Sequence, residues 1–337
     1  MMTDYRTIDG VNQSSLKKIL TSPTSFIRAK ENQDSDESFF VFGKLVDYLM
    51  FSPEEVSKIF IMTDVPEISE TLGLLCKYVI EYCAMEDIAI NLESPRVETA
   101  ILKAHELHGY QSKWGDDAKL KNFKKNCEAY IKVIQKANGK TIISQDDYNK
   151  ALVCKAALTS NVRTNNYFKY IGKKDSPIEV STHKIVEFTY NEVECKGELD
   201  GLVINHNTKE IIPFDLKTTG QPLSMFPYQF WKLRYDFQAA FYVEGLLQDE
   251  ELKELITKGY TIQPFKFIVV ETNCVSSPLI FEADTEVLNI GKYGGTLSTG
   301  KKLEGFDSAI TRYKFHQEKD NWDYPMEYYK GNIKIEI

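Results

Sequence analysis

A chain of 337 residues, 42% hydrophobic and 27% charged, is long enough for one large domain or two ordinary ones and has a globular protein's composition. Its net charge of −8 excludes a generally basic nucleic-acid coat, so any nucleic-acid partner must be met by a local patch. Six scattered cysteines with no CxxC pair give no zinc or iron–sulfur pattern and read as reduced thiols in a cytoplasm, and the opening "MMTDYRTIDG" has neither a signal peptide's charge pattern nor a membrane span's length.

In chain order, "VNQSSLKKILTSPTSFIRAK" predicts a helix capped by Ser14 or Ser15, apolar along Leu16, Ile19 and Leu20, and stopped at Pro23. A second helix runs through "SFFVFGKLVDYLMFSPEE" to about Pro53. From about 55 to 170 the pattern is mostly helical, including "NFKKNCEAYIKVIQKA" and "QDDYNKALVCKAALTSN". Strand signals then take over in "HKIVEFTYN", and in "VECKGELDGLVIN" and "KEIIPFDLKTT" around the polar turn "HNT". A helix returns in "YDFQAAFYVEGLLQ", a strong strand follows in "PFKFIVVETN", "GKYGGTLSTGKKLEG" reads as a loop, and "DSAITRYKFHQEKDNW" as a last helix.

The strand "EIIPFDLKTTG" carries the chemistry. Side chains alternate along a strand, so Asp215 and Lys217 share one face and Phe214 and Leu216 the other. A simple antiparallel hairpin centred between Asn207 and Thr208 pairs residues whose numbers sum to 415. Asp200 then faces Asp215, and Glu198 faces Lys217. Facing carboxylates repel unless a cation lies between them, and oxygen-only ligands suit Mg²⁺ or Mn²⁺. A lysine beside such an ion can orient a water and offset charge on a phosphate, which outlines a phosphodiester-cleaving site. The plain alternative is a solvated ion pair on a sheet edge; the D-x-K string alone also occurs at Asp117–Lys119.

With "GELDGLV" (Asp200), "PFDLKTT" (Asp215, Lys217) and "QAAFY" (Gln238, Tyr242) in this order, the chain resembles the PD-(D/E)XK nuclease superfamily. Within it the likeness is to the RecB-like branch that includes RecE-type (exonuclease VIII) and lambda-type phage exonucleases. Gln238 and Tyr242 match that branch's Q-x-x-x-Y and, four apart, share a helix face. "NQSSLKKILTSPTSF" and "FGKLVDYLMFSPEE" look like the opening of the RecE-type domain, but Asp47 stands where the family's helix carries a metal-holding histidine. Burying a carboxylate in "FVFGKLVDYLMF" calls for a cation, the alternative being an exposed place on a one-sided helix.

The resemblance covers residues 12 to 60, 183 to 275 and loosely the tail "YKFHQEKDNWDYP". It implies an α/β fold, a restriction-endonuclease-like core with a central mixed sheet flanked by helices and a large helical elaboration. We expect a single nuclease domain over 1–337: N-terminal helices with the first motif to 60, the elaboration over 61–180, and the catalytic sheet with C-terminal helices over 181–337. It further implies a metal-dependent DNA exonuclease, 5′-to-3′ on linear duplex DNA, in phage or prophage-type recombination. Asp200 and Asp215 would hold one or two Mg²⁺, with Asp47 and the Leu216 carbonyl completing the shell. Lys217 would position the water, Gln238 would bond near the scissile strand, and Glu198 and Tyr242 would give support.

Lys232 and Arg234 precede the third motif and are candidate DNA contacts, as is the lysine run from Lys119 to Lys136, for which a solvated helix face is the bland alternative. By analogy the family implies a homo-oligomeric ring, a single-strand annealing partner, no membrane, and the cytoplasm of a bacterial host. Rival readings are a Cas4-like nuclease, against which the lack of a cysteine cluster counts, an endonuclease on the same fold, and an inactive DNA-binding module.

Overall fold

A computed structural model describes residues 5–31 and 38–331. The chain begins with α1 (Gln13–Ile19), α2 (Pro23–Glu31) and α3 (Ser38–Phe51). Asn12, rather than Ser14 or Ser15, caps α1, its Oδ1 accepting from Ser15 N at 2.9 Å. Pro23 opens α2, where its fixed φ and missing N–H are harmless. Next come α4 (Val56–Ile59), β1 (Phe60–Met62), α5 (Glu70–Met85), α6 (Pro95–Leu107), α7 (Asp116–Ala137), β2 (Thr141–Ile143), α8 (Gln145–Ser160) and α9 (Asn165–Phe168).

The strands β3 (Ile178–Tyr190), β4 (Val193–Asn205) and β5 (Glu210–Thr219) follow, then α10 (Phe226–Lys232), α11 (Tyr235–Gln248) and α12 (Glu250–Thr257). After β6 (Thr261–Ile262), β7 (Phe265–Glu271), β8 (Leu279–Ala283) and α13 (Thr285–Tyr293) comes the expected loop, which holds a two-stranded ladder of β9 (Gly295–Thr296) and β10 (Lys302–Leu303). The helix α14 (Phe306–Lys319) is not the last; α15 (Met326–Tyr329) follows.

Two compact units emerge, Glu54–Asn149 and the remainder. In the first, α5, α6 and α7 pack on one another around Leu75, Val79, Ile101, Phe123 and Ile131, and β1 pairs in parallel with β2. Along α7, Lys124 is tied to Glu93 and Glu98, Lys132 to Glu128 and Lys119 to Asp116. Three lysines of the basic run are thus paired with acids of their own unit, which favours the bland reading of that run.

The other unit is built on a mixed sheet ordered β3-β4-β5-β7-β8, with β6 alongside β5. All pairs are antiparallel except those of β5 with β6 and β7. One face is covered by α11, which in turn packs on α1 and α13. From α11, Phe237, Ala239, Phe241 and Leu246 are fully buried, each large apolar side chain contributing about 1.5–3 kcal/mol of transfer free energy. On the other face Phe51 of α3 and Tyr167 and Phe168 of α9 pack around Phe214. That ring lies directly over Gly201, where a Cβ would fall 2.1 Å from it, so this crossing needs glycine. Among the described residues no helix is long and apolar enough to cross a membrane.

Candidate active site

The register read from the sequence is present from Asn205↔Glu210 to Gly201↔Phe214, every pair summing to 415. Asn205 builds its turn, Oδ1 accepting from Asn207 N at 3.1 Å. The ladder then ends one residue short of Asp200 and Asp215, because β5 leaves β4 to run along β7 from Phe214↔Lys266 onward. Asp200 spans the opening, its Oδ2 accepting from Leu216 N at 2.7 Å. The two aspartates still meet electrostatically, but Glu198 does not come to Lys217 as the extended ladder predicts. It turns to His183, Oε1 lying 3.4 Å from Nδ1.

Asp215 is the best-held group. Gln238 Nε2 donates to its Oδ1 at 2.5 Å, and the Lys217 ammonium stands 2.6 Å from its Oδ2. Gln238 and Tyr242 do share a face of α11, with Gln238 hydrogen-bonding the Tyr242 hydroxyl. The Tyr242 ring rests on Gly197, where a Cβ would approach it to 2.8 Å. The Gln238 amide thus anchors Asp215. Lys217 is also held from behind, its Nζ lying 4.8 Å from the centre of the Tyr235 ring, a favourable cation–π distance.

Electrostatics set the site apart from an edge ion pair. Burial pushes the Asp200 carboxyl well up, and Asp215 and Asp47 push it further. Asp47, half-buried on α3, is raised to about 6 by burial and by Asp215 and Glu198, against the pull of His183 and Lys217. Burial pulls the Lys217 ammonium down, yet Asp215, Tyr235 and Asp200 outweigh it and the net shift is upward. Three carboxylates thus crowd a poorly solvated space with one closely placed ammonium.

His183 was missed in the sequence. It lies on β3 between the pairs Thr182↔Gly201 and Lys184↔Leu199, hence across from Asp200, with φ +51 where most side chains avoid it. Its Nε2 is 3.6 Å from Asp47 Oδ2. The signal was available: counting back from the Asn191–Glu192 turn, pairs summing to 383 bring His183 to Asp200. Lys17 of α1 was also missed; burial, Lys217 and Arg234 push it down to about 7, against Asp236 and Asp215. Of the two proposed DNA contacts, Lys232 is exposed, while Arg234 is locked onto buried Asp236 (3.0 Å) and starts α11 in the left-handed region.

The donor chemistry fits a hard divalent cation, being all carboxylate with mutual repulsion to relieve. Among the described residues, no three acid, imidazole or thiol groups stand ready to hold an ion. The reason is visible: Asp215 is engaged by Gln238 and Lys217, and one Asp200 oxygen by Leu216 N. Leu216 itself pairs with Ile268 in the β5–β7 ladder. A cavity of about 620 Å³ lined by Arg163, Tyr167, Tyr170, Ile212, Pro278 and Glu282 includes none of these residues.

A family model described as a PDDEXK-like domain of unknown function (DUF3799) matches residues 12–294. A crystal structure of a "putative exonuclease" from Eubacterium rectale aligns over 97% of this chain and 89% of its own, at 13% identity and a TM-score of 0.37, a likeness too loose to bear on activity. No curated protein matches the chain.

Proposed function

The chain belongs to the family of PDDEXK-like domains of unknown function (DUF3799), and we propose that it is a metal-dependent deoxyribonuclease acting as an exonuclease on linear duplex DNA. The observation that carries this reading is Asp215, gripped by Gln238 and Lys217 and facing Asp200 at the point where two strands part. A surface ion pair has no use for a buried amide on one oxygen and an ammonium on the other.

Asp200 and Asp215 are the residues to hold Mg²⁺, with Mn²⁺ as substitute and Asp47 and the Leu216 carbonyl as further oxygens. The ion, when bound, supplies a water of lowered pKa and neutralises phosphate charge. Lys217 orients the attacking water and balances the charge that grows on the phosphoryl oxygens as the P–O bond to the leaving group breaks. Gln238 fixes Asp215 in one rotamer, Tyr242 fixes Gln238, and the Tyr235 ring keeps the ammonium over the site. His183 steadies Asp47 and Glu198.

The finer reading follows the resemblance to RecE- and lambda-type enzymes: 5′-to-3′ digestion in phage-type recombination, in the cytoplasm of a bacterial host. A homo-oligomeric ring would place basic surface inward, which suits a chain of net charge −8, and a single-strand annealing protein is the matching partner. The test is incubation of the purified protein with linear and covalently closed circular duplexes, in Mg²⁺ or EDTA, beside Lys217→Ala. Loss of linear DNA alone, in Mg²⁺ alone and not with the variant, is expected. Cutting of circles would make the protein an endonuclease, and binding without cleavage would make it an inactive module.

A further inference from the structure

Lys17 stands out when the partners of every charge around the site are counted. It projects from α1, a helix fixed by its buried neighbours Leu16 and Ile19 and packed on α11. Its ammonium lies within electrostatic reach of Lys217, Asp236, Arg234 and Asp215. Both acids in that set are taken. Asp236 is clasped by Arg234, Nε to Oδ1 at 3.0 Å and Nη2 to Oδ2 at 3.0 Å, and Asp215 by Gln238 and Lys217. Among the described residues Lys17 itself makes no hydrogen bond and no ion pair.

A half-buried cation beside two other cations, with no acid left to receive it, is an unfavourable arrangement in the free protein. It becomes favourable when an anion enters, since one phosphate oxygen can satisfy an ammonium that no side chain does. We propose that Lys17 binds a backbone phosphate of the nucleic-acid strand held at the site, next to the phosphate that Lys217 serves. This rests on the nuclease reading and deepens it by adding α1 to the substrate-binding surface. The contact is electrostatic and indifferent to base sequence.

The experiment uses the full chain and a short fluorescent duplex in EDTA, so that binding is read without cleavage. Wild type, Lys17→Met and Lys17→Arg are titrated at several KCl concentrations, with melting curves for each. We expect Lys17→Met to weaken binding about tenfold, the order for one charge-assisted contact, and to flatten the plot of log K against log salt by about 0.9. Lys17→Arg should keep affinity and slope, and Lys17→Met should melt no lower than wild type, because no internal partner is lost. Wild-type affinity and slope in Lys17→Met overturn the proposal, as does a Lys17→Arg protein that fails alongside Lys17→Met with a lowered melting point. Wild-type cleavage in Mg²⁺ is measured in parallel. If wild type cleaves while Lys17→Met binds like it, this proposal alone falls; if wild type neither binds nor cleaves DNA, the nuclease reading falls and takes it along.

Discussion

Asp47→Asn removes one negative charge from the crowded site while keeping shape, and its effect on stability has a definite sign. Asp47 rises from an ordinary 3.8 to about 6, so the folded protein holds this proton more tightly than the unfolded chain does. Stability from that proton is complete below about pH 4 and is lost as pH rises through about 6. The interval corresponds to about 3 kcal/mol by linkage, an upper figure because the side chain is 23% exposed and carboxylates can relax apart. The asparagine variant carries no such loss. In EDTA, urea midpoints of wild type and Asp47→Asn should coincide near pH 4 and separate by pH 7, with the variant the more stable. His183, raised first by Glu198 and also by Asp47, attracts Asp47 while protonated, so its discharge at higher pH widens the gap. Mg²⁺ should then stabilise wild type more than the variant, by mass action on a site with one more carboxylate. Parallel pH curves for the two proteins, or a variant less stable at pH 8, would refute the reasoning.

Lys217→Ala should abolish cleavage yet bind Mg²⁺ more tightly than wild type, because the ammonium 2.6 Å from Asp215 Oδ2 competes with any cation there; calorimetric titration reads this, and equal or weaker binding counts against it. Gln238→Ala leaves the buried Asp215 Oδ1 without its donor and should cost about 2 kcal/mol, measured as a shift in the denaturant midpoint; an unchanged midpoint would show the bond to be idle. Gly201→Ala drives a methyl into the Phe214 ring and should yield little soluble protein. Adding Phe214→Leu should recover part of it, and failure to do so would mean that the clash is not the cause.

Much of this arrangement was legible in the sequence, and the failures share a cause. The hairpin register could be read because the polar turn between β4 and β5 is local and fixes which residues pair. Gln238 and Tyr242 could be placed because one helix carries both. Extending the same ladder to Glu198 failed, since the departure of β5 toward β7 depends on a strand whose paired residues lie 52 positions further along the sequence. Lys17 escaped for the same reason, reaching the site through packing of α1 on α11, far along the chain, whereas His183 lies in the neighbouring hairpin and could have been found by counting back from its turn. The Ser14 or Ser15 cap failed on a smaller scale, Asn12 being one of several adjacent residues able to accept the same N–H.

The charges around Asp215 show why the free protein can tolerate so acidic a centre. Lys217 has the position and charge of a cation on Asp215, and His183 does the same between Asp47 and Glu198 when protonated. Asp200 accepts from the Leu216 backbone N–H, and burial and its acidic neighbours push its carboxyl well up. A divalent ion, if held here as proposed, would relieve the repulsion on Asp200, and sharing Asp215 would mean displacing the ammonium. The displaced lysine would stay beside the site, held by the Tyr235 ring, with a free charge for a phosphate. Under the proposed metal-dependent reading, metal and substrate would bind in a linked order, since a lysine no longer neutralising Asp215 would have reason to take the anion.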